Sequence, residues 1–340
     1  MFHPIRVIVE KGARDYELGE QLYQKFLMNK EIELFEEATN GVKRVIPGSS
    51  QAQRYEQGKK TLVIGVKKSL KFQSCKPSAH YQLPLVSGCM GQCEYCYLNT
   101  QLGDKPFVRV FVNTDEILEQ AMKYTKEREP EITIFEGAAT SDPVPVEPYT
   151  HSLSKCIEFF GQKELTRFRF VSKYTDVDRF IDIQHNGHTE VRFSINTERI
   201  IADYEHHTPT AAKRIEAAVK LMNAGYPVGF LVAPVFLYDH WKEEYVKLLE
   251  TLKEKVPLNL SYPLTFEVIS HRYTLRAKET IQQVFPDTQL PMDEEKRAFQ
   301  YGQFGYGKYK YTKEELKDMG DFFQNEIKRI FPESDVKYVI

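Results

Sequence analysis

The sequence predicts an α/β protein organised on a parallel sheet, either open or curled into a partial barrel. Two observations predict this class. Six segments with strand character recur between residues 80 and 270, and segments with helical spacing separate most of them. A third locates a site: three cysteines crowd into eight residues directly after the first of those strands. In such folds that C-terminal end is where ligands gather.

In chain order, residues 5–9 (IRVIV) read as a short strand, followed by an amphipathic helix over about 15–27, where Leu18, Leu22, Phe26 and Leu27 recur at helical spacing. A strand at 61–68 completes a small α/β N-terminal region, residues 1–77. The barrel or open sheet spans 78–272, with strands at 80–88, 131–137, 167–174, 189–196, 227–235 and 264–270. Helices are expected over about 114–127, 150–161, 210–224 and 239–254. The third has Pro209 near its start and Gly225 just past its end. Residues 273–340 form a C-terminal extension. Its segment 301–311 alternates glycine with aromatics and lysines and reads as a β-hairpin or an exposed aromatic loop. Thr312 and Glu315 then form a capping box for a helix over 313–330, and 336–340 reads as a closing strand.

A chain of 340 residues with 41% hydrophobic content buries a large core, and 28% charged content argues against disorder. The formal net charge of −2 is not that of a general nucleic-acid binder, so any such contact must be local. Two stretches qualify: 52–76 holds seven basic residues against one acid, and 296–313 holds five with none. The second interleaves Phe299, Tyr301, Phe304, Tyr306, Tyr309 and Tyr311, a mixture suited to an unstacked nucleotide, or to packing on the barrel. The N-terminus has no signal-peptide pattern and no apolar run is long enough to span a bilayer, so the expected location is the cytoplasm, with no membrane partner.

Five cysteines, an odd number, do not form a secreted disulfide framework. Cys89, Cys93 and Cys96 stand at C-x3-C-x2-C in SGCMGQCEYCY. Thiolates suit zinc or an iron–sulfur cluster. Structural zinc takes four protein ligands, and a fourth would have to come from Cys75, His80 or a more distant group. Three thiolates on a [4Fe–4S] cluster instead leave one iron open for a substrate, which is the favoured reading.

Ser141, Lys173 and Ser194 fall at or near the ends of the second, third and fourth strands, facing the same mouth. A lysine and two hydroxyls suit a ligand with a carboxylate, an ammonium and ribose hydroxyls, although turn chemistry also places such residues at strand ends. Asn196 and Glu136 are further candidates. Cys75 and Cys156 read as structural, Cys156 beside Ile157 and Phe159 of a helix; His206 and His207 show no ligand spacing with a nameable partner.

The cysteine motif, with Tyr95 at its aromatic position, resembles the signature of the radical S-adenosylmethionine (SAM) superfamily. The resemblance implies a partial (β/α)6 barrel, a [4Fe–4S] cluster on Cys89, Cys93 and Cys96, SAM on the open iron, and the Tyr95 ring beside the adenine. It narrows further. VSGCMGQCEYCYLNT (86–100), IFEGAATSDPVPVEPYTH (134–151), VSKY (171–174), RFSIN (192–196) and GQFGYGKY (302–309) resemble the spore photoproduct lyase family over nearly the whole chain. That likeness implies DNA repair in the spore core, the cytoplasm of a germinating cell. A methylene-bridged thymine pair is opened by a 5′-deoxyadenosyl radical, and the thymine-methyl radical left behind receives a hydrogen atom. In the family a cysteine after the second strand gives that hydrogen; the matching residue here is Ala139. The intact remainder of that segment favours an engineered Cys→Ala change, and an impaired enzyme, over a divergent relative.

The resemblance also places Tyr97 next to this relay, where an ordinary buried tyrosine is the alternative. Ser141, Lys173 and Ser194 become SAM contacts. Tyr301, Gln303, Phe304, Tyr306, Lys308 and Tyr309 become DNA contacts on a hairpin. A flavodoxin or ferredoxin as reductant and a monomeric state complete the expectation. Two other readings stay open on the residues alone: a radical SAM enzyme with another substrate, and a metal-stabilised DNA-binding protein without turnover.

Overall fold

The computed structural model describes residues 1–340 except 38–40, 104 and 302–306. The chain begins β1 (Arg6–Glu10), α1 (Glu17–Leu27), β2 (Glu33–Glu37), α2 (Gln51–Lys59) and β3 (Thr61–Gly65). β1 and β3 are unbroken runs, RVIVE and TLVIG, buried at every position, as parallel strands covered on both faces are. Then come β4 (Ser74–Cys75), β5 (Ala79–Gln82), β6 (Val86–Ser87), β7 (Gln92–Cys93), α3 (Leu98–Gln101) and β8 (Val108–Phe111). The first sheet has the order β2-β1-β3-β8-β6, parallel except for β6.

Strands and helices then alternate: α4 (Thr114–Arg128), β9 (Thr133–Glu136), α5 (Glu147–Thr150), α6 (Ser152–Gly161), β10 (Thr166–Ser172), β11 (Thr189–Ile195), α7 (Glu198–Tyr204), β12 (Glu205–His206), α8 (Ala211–Asn223), β13 (Val228–Val235), α9 (Trp241–Lys255) and β14 (Thr265–Ser270). The chain closes with α10 (Leu275–Val284), β15 (Ala298–Tyr301), β16 (Gly307–Lys310), α11 (Lys313–Ile330) and β17 (Asp335–Val339). The second sheet runs β17-β14-β13-β11-β10-β9-β5-β4. β5 through β14 and β17 are mutually parallel, and β4 alone is antiparallel. The capping box of Thr312 and Glu315 and the closing strand after it form as expected.

The sheet curls. Arg169 of β10 pairs with Glu267 of β14, although two strands separate them in the sheet. On a flat sheet three strand spacings would hold them about 14 Å apart. Arg192 of β11 reaches the same Glu267 at 2.7 Å and, on its other side, Glu136 of β9. These four groups, nearly all hidden from solvent, form a charged layer across the barrel lumen. The outer face is apolar: Phe168, Phe170 and Phe193 are fully buried, and Phe160 of α6 stacks on Phe135 and Phe168 at 5.3 and 5.4 Å. The period of two along each strand thus separates an ionic interior from an aromatic exterior.

Two expectations need correction. The first barrel strand, taken as 80–88, is divided by Pro84, which has no N–H for a ladder. β5 stays in the barrel and β6 crosses into the first sheet. The boundary at 77 therefore does not separate the sheets: β6 and β8 complete the N-terminal one, and one apolar core runs through both. β8 itself, in FVRVFV, was not anticipated as a strand.

Candidate active site

The cysteine loop is an excursion between two paired strands. Val86 of β6 lies opposite Val110 of β8, and the three cysteines lie on the chain between them. The loop begins at Gly88, whose φ is +84°; a Cβ there would stand 2.3 Å from the Phe107 carbonyl oxygen, so the turn requires glycine. α2 braces the loop from the N-terminal sheet. Lys59 Nζ donates to the Cys89 carbonyl at 2.7 Å, and the Tyr55 hydroxyl donates to Asn99 Oδ1 at 2.9 Å. Asn99 Nδ2 in turn donates to the Cys93 carbonyl at 3.1 Å. On the other side β7 pairs antiparallel with β12, so that Cys93 faces Glu205.

The three thiols are free, Cys93 buried and Cys89 and Cys96 half-buried. Burial pushes the Cys89 thiol up to about 12 and the Cys93 thiol higher still. Thiolates there need a cation, and cluster iron is one that three thiols fit. A zinc ion requires ligands converging on one point. Among the described residues no three His, Cys, Asp or Glu side chains form such a group, whereas each cluster thiolate binds a different iron. His80, a possible fourth zinc ligand, has its ring committed elsewhere: Nδ1 accepts from the Ile134 N–H at 2.9 Å and Nε2 lies 3.2 Å from Arg128.

Beside the loop, Lys173 Nζ donates to Ser194 Oγ at 2.8 Å, Glu205 Oε1 at 3.1 Å and the Tyr95 hydroxyl at 3.2 Å. Tyr95 also donates to Glu205. The other Glu205 oxygen takes Arg214 at 2.6 Å, and Arg214 donates to the Ser194 carbonyl at 2.9 Å. Burial disfavours a charged Glu205, but Lys173 and Arg214 outweigh it and hold the carboxyl below its ordinary value. The expected Tyr95, Lys173 and Ser194 thus meet around one buried carboxylate. Ser141 bridges to Gly88, at the start of the cysteine loop. Its hydroxyl is buried without a partner among the described residues, as expected of a group whose partner is a ligand. The hydroxyls and the lysine can donate to the carboxylate and ribose hydroxyls of SAM, and the hydroxyl oxygens can accept from its ammonium.

Tyr97 is 57% exposed, which rules out an ordinary buried tyrosine, and its hydroxyl donates to the Ala139 carbonyl. Two further candidates belong elsewhere. Asn196 is saturated by Pro234, Thr197 and Tyr245, and Glu136 belongs to the lumen ion layer. In the basic stretch 52–76, Lys59 turns inward and Lys60 pairs with Glu56. On the hairpin, Tyr301 is 77% exposed and Lys308 is exposed, while Tyr309 stacks on Tyr273 at 5.4 Å and anchors its root. Gln303, Phe304 and Tyr306 lie outside the described residues.

Sequence reasoning missed Glu205, Arg214 and Asp142. Asp142 accepts from the Lys173 N–H at 2.9 Å and the Ser172 hydroxyl at 2.8 Å, and burial raises it to about 6. Its place in SDP, three residues after Ala139, was a usable signal; Glu205 offered none, because its role arises from a two-residue pairing distant in sequence.

The whole chain is similar to known proteins. A spore photoproduct lyase from Clostridium acetobutylicum is 51% identical over 335 residues, covering 98% of each chain. One from Bacillus subtilis is 46% identical over 337 residues, covering 99% of this chain and 98% of its own. A solved spore photoproduct lyase superposes with a TM-score of 0.96 at 46% identity, covering 100% of this chain and 99% of its own. That relative is a double mutant, cysteine to alanine and serine to cysteine, with bound AdoMet and dinucleoside spore photoproduct. The family model for spore photoproduct lyase matches residues 2–340, and the chain belongs to that family.

Proposed function

We propose that this protein is a radical SAM carbon–carbon lyase that reverses spore photoproduct in DNA, returning the methylene-bridged thymine pair to two thymines. The observation that carries the reading is one mouth holding three elements. They are the three-cysteine loop, the polar cradle of Ser141, Lys173, Ser194 and Tyr95, and Tyr97 hydrogen-bonded to Ala139.

When bound, the cluster and SAM supply a carbon radical that takes a hydrogen atom from the lesion. The chain's own residues do the rest. Cys89, Cys93 and Cys96 would hold the cluster. The Lys173 ammonium and the Ser141 and Ser194 hydroxyls would bind the polar end of SAM, with Tyr95 beside Lys173. Glu205 and Arg214 hold Lys173 and Tyr95 in place before the ligand arrives, so little ordering remains to be done on binding. The exposed aromatics of the hairpin, with Tyr301 foremost, stack on bases beside the lesion. The protein works as a monomer in the spore core, and a one-electron carrier such as a flavodoxin or ferredoxin reduces the cluster.

The test is anaerobic. The cluster is reconstituted and reduced, and SAM is added with DNA carrying the thymine–thymine methylene lesion. 5′-Deoxyadenosine and restored thymine are expected together. SAM cleavage without any action on the lesion would assign the radical chemistry to another substrate. Iron and sulfide content should fall in Cys93→Ala.

A further inference from the structure

We propose that Lys59, carried to the cysteine loop from the N-terminal sheet, sets the reduction potential of the cluster: its ammonium offsets the negative charge of the three thiolates and makes the electron easier to accept. The inference rests on the cluster assignment above and names a positioning residue outside the barrel.

Lys59 is the last residue of α2 and is only 4% exposed. Lysine is rarely buried without a counter-charge, because its ammonium loses hydration there. The chain supplies no carboxylate. The acid one turn earlier, Glu56, pairs with Lys60 at 2.6 Å, and none lies within ion-pair distance of Lys59 among the described residues. Lys59 Nζ meets instead the Cys89 carbonyl at 2.7 Å and the face of Tyr55 at 5.0 Å. Tyr55 lies within electrostatic reach of all three thiols: burial first, then Cys96, Cys93 and Cys89, push its phenol up. The ammonium therefore stands beside the space that the three sulfurs share.

Helix capping does not account for this placement. A lysine in a last turn often serves the terminal carbonyls. Here the Gln57 carbonyl takes the Lys60 N–H and the Thr61 hydroxyl, and Lys59 goes to the loop. α2 is also seated firmly: a Cβ on Gly58 would stand 2.5 Å from Pro106 Cγ, on the stretch that leads from the loop into β8.

The charge is not cancelled from the barrel side. There Lys173 and Arg214 face Glu205 and Asp142, two cations against two acids. Burial pushes the Cys89 thiol up, Asp142 adds to that, and Lys59 opposes both. Cluster potentials follow net charge and the hydrogen bonds around the ligands. Three thiolates outweigh the charge of the oxidised core, and an added electron deepens the excess, so a nearby cation favours the reduced form. One electron passes from the flavodoxin- or ferredoxin-class carrier to the cluster, the carrier is oxidised by one, and Lys59 neither gains nor loses a proton.

The experiment is a redox titration of the full, reconstituted chain, followed by electron paramagnetic resonance. Lys59→Gln keeps a hydrogen-bond donor and removes the charge; Lys59→Arg keeps the charge. Lys59→Gln should lower the equilibrium constant for cluster reduction about tenfold, a midpoint about 59 mV more negative, while Lys59→Arg stays close to wild type. The potential is read on the cluster present, so partial loading does not alter it. Reductive SAM cleavage by Lys59→Gln should fall further with a weak reductant than with a strong one. A Lys59→Gln midpoint equal to wild type would overturn the proposal and leave Lys59 as a brace for the loop. So would equal shifts in Lys59→Gln and Lys59→Arg, which would assign the effect to geometry. Complete loss of iron from Lys59→Gln and Lys59→Met alike would overturn it too, by giving the residue to cluster loading. A wild-type protein that takes up zinc but no redox-active iron would instead bring down the cluster assignment, and this inference with it.

Discussion

Glu205 stands directly opposite Cys93 in the pairing of β12 with β7. The carboxylate that organises the cofactor cradle is thus carried by the strand that clamps the cluster loop. Glu205→Gln removes the charge that Lys173 and Arg214 share. SAM affinity of the reconstituted protein should fall about tenfold, or about 1.4 kcal/mol. Equilibrium binding reads this, and unchanged affinity would mean that Lys173 needs no support.

The ion layer of the lumen makes a second prediction. Glu267 serves Arg169, Arg192 and the Tyr338 hydroxyl at once. Removing one partner of a buried pair leaves the others charged and unmatched, at a cost of about 3–5 kcal/mol. Glu267→Gln should lower the unfolding free energy from a urea titration by that much, whereas the exposed pair Lys337–Asp335 should yield almost nothing on Asp335→Asn.

Acid should loosen the C-terminal extension through His271. Its ring is buried, stacked 4.5 Å from Phe236, and faced by Arg297 across 3.3 Å; burial, then Arg297, holds it down at about 3. An unfolded histidine titrates near 6.5, so below that pH the unfolded chain binds the extra proton. The stability linked to His271 is fully present above about 6.5 and is lost as pH falls towards 3, at up to about 1.4 kcal/mol per pH unit. His271→Phe should flatten the slope of stability between pH 6.5 and 5; an unaltered slope would place the acid sensitivity elsewhere.

For the hairpin, affinity and its salt dependence separate two roles. Tyr301→Ala should weaken binding to lesion DNA by about 1–3 kcal/mol with an unchanged salt slope, as loss of base stacking does. Lys308→Ala should instead reduce the salt slope by about one phosphate contact. Fluorescence anisotropy across a salt series distinguishes them.

The barrel was legible because its signal is local: each strand is an apolar run between helical segments, and the cysteine spacing is contiguous. Ser141, Lys173 and Ser194 could be found because strand ends share one mouth. Glu205 and Arg214 could not, since their role depends on β12 meeting β7 across more than a hundred residues. Tyr97 needed coordinates to show that it is exposed and bonded to Ala139. Pro84 was in plain view and should have ended the strand, which would have exposed the crossing between sheets.

The cysteine loop leaves β6 and returns on β8, and those strands are hydrogen-bonded neighbours. The ends of the segment that gathers the three thiols are therefore pinned together by the first sheet, independently of the barrel's long-range closure. The entropy of bringing those ends together is met when that sheet forms, and only the short stretch between them must be ordered around the metal. Assembly of the inorganic centre then becomes a late, local event on a finished scaffold, so a protein damaged by oxygen can be emptied and refilled without refolding.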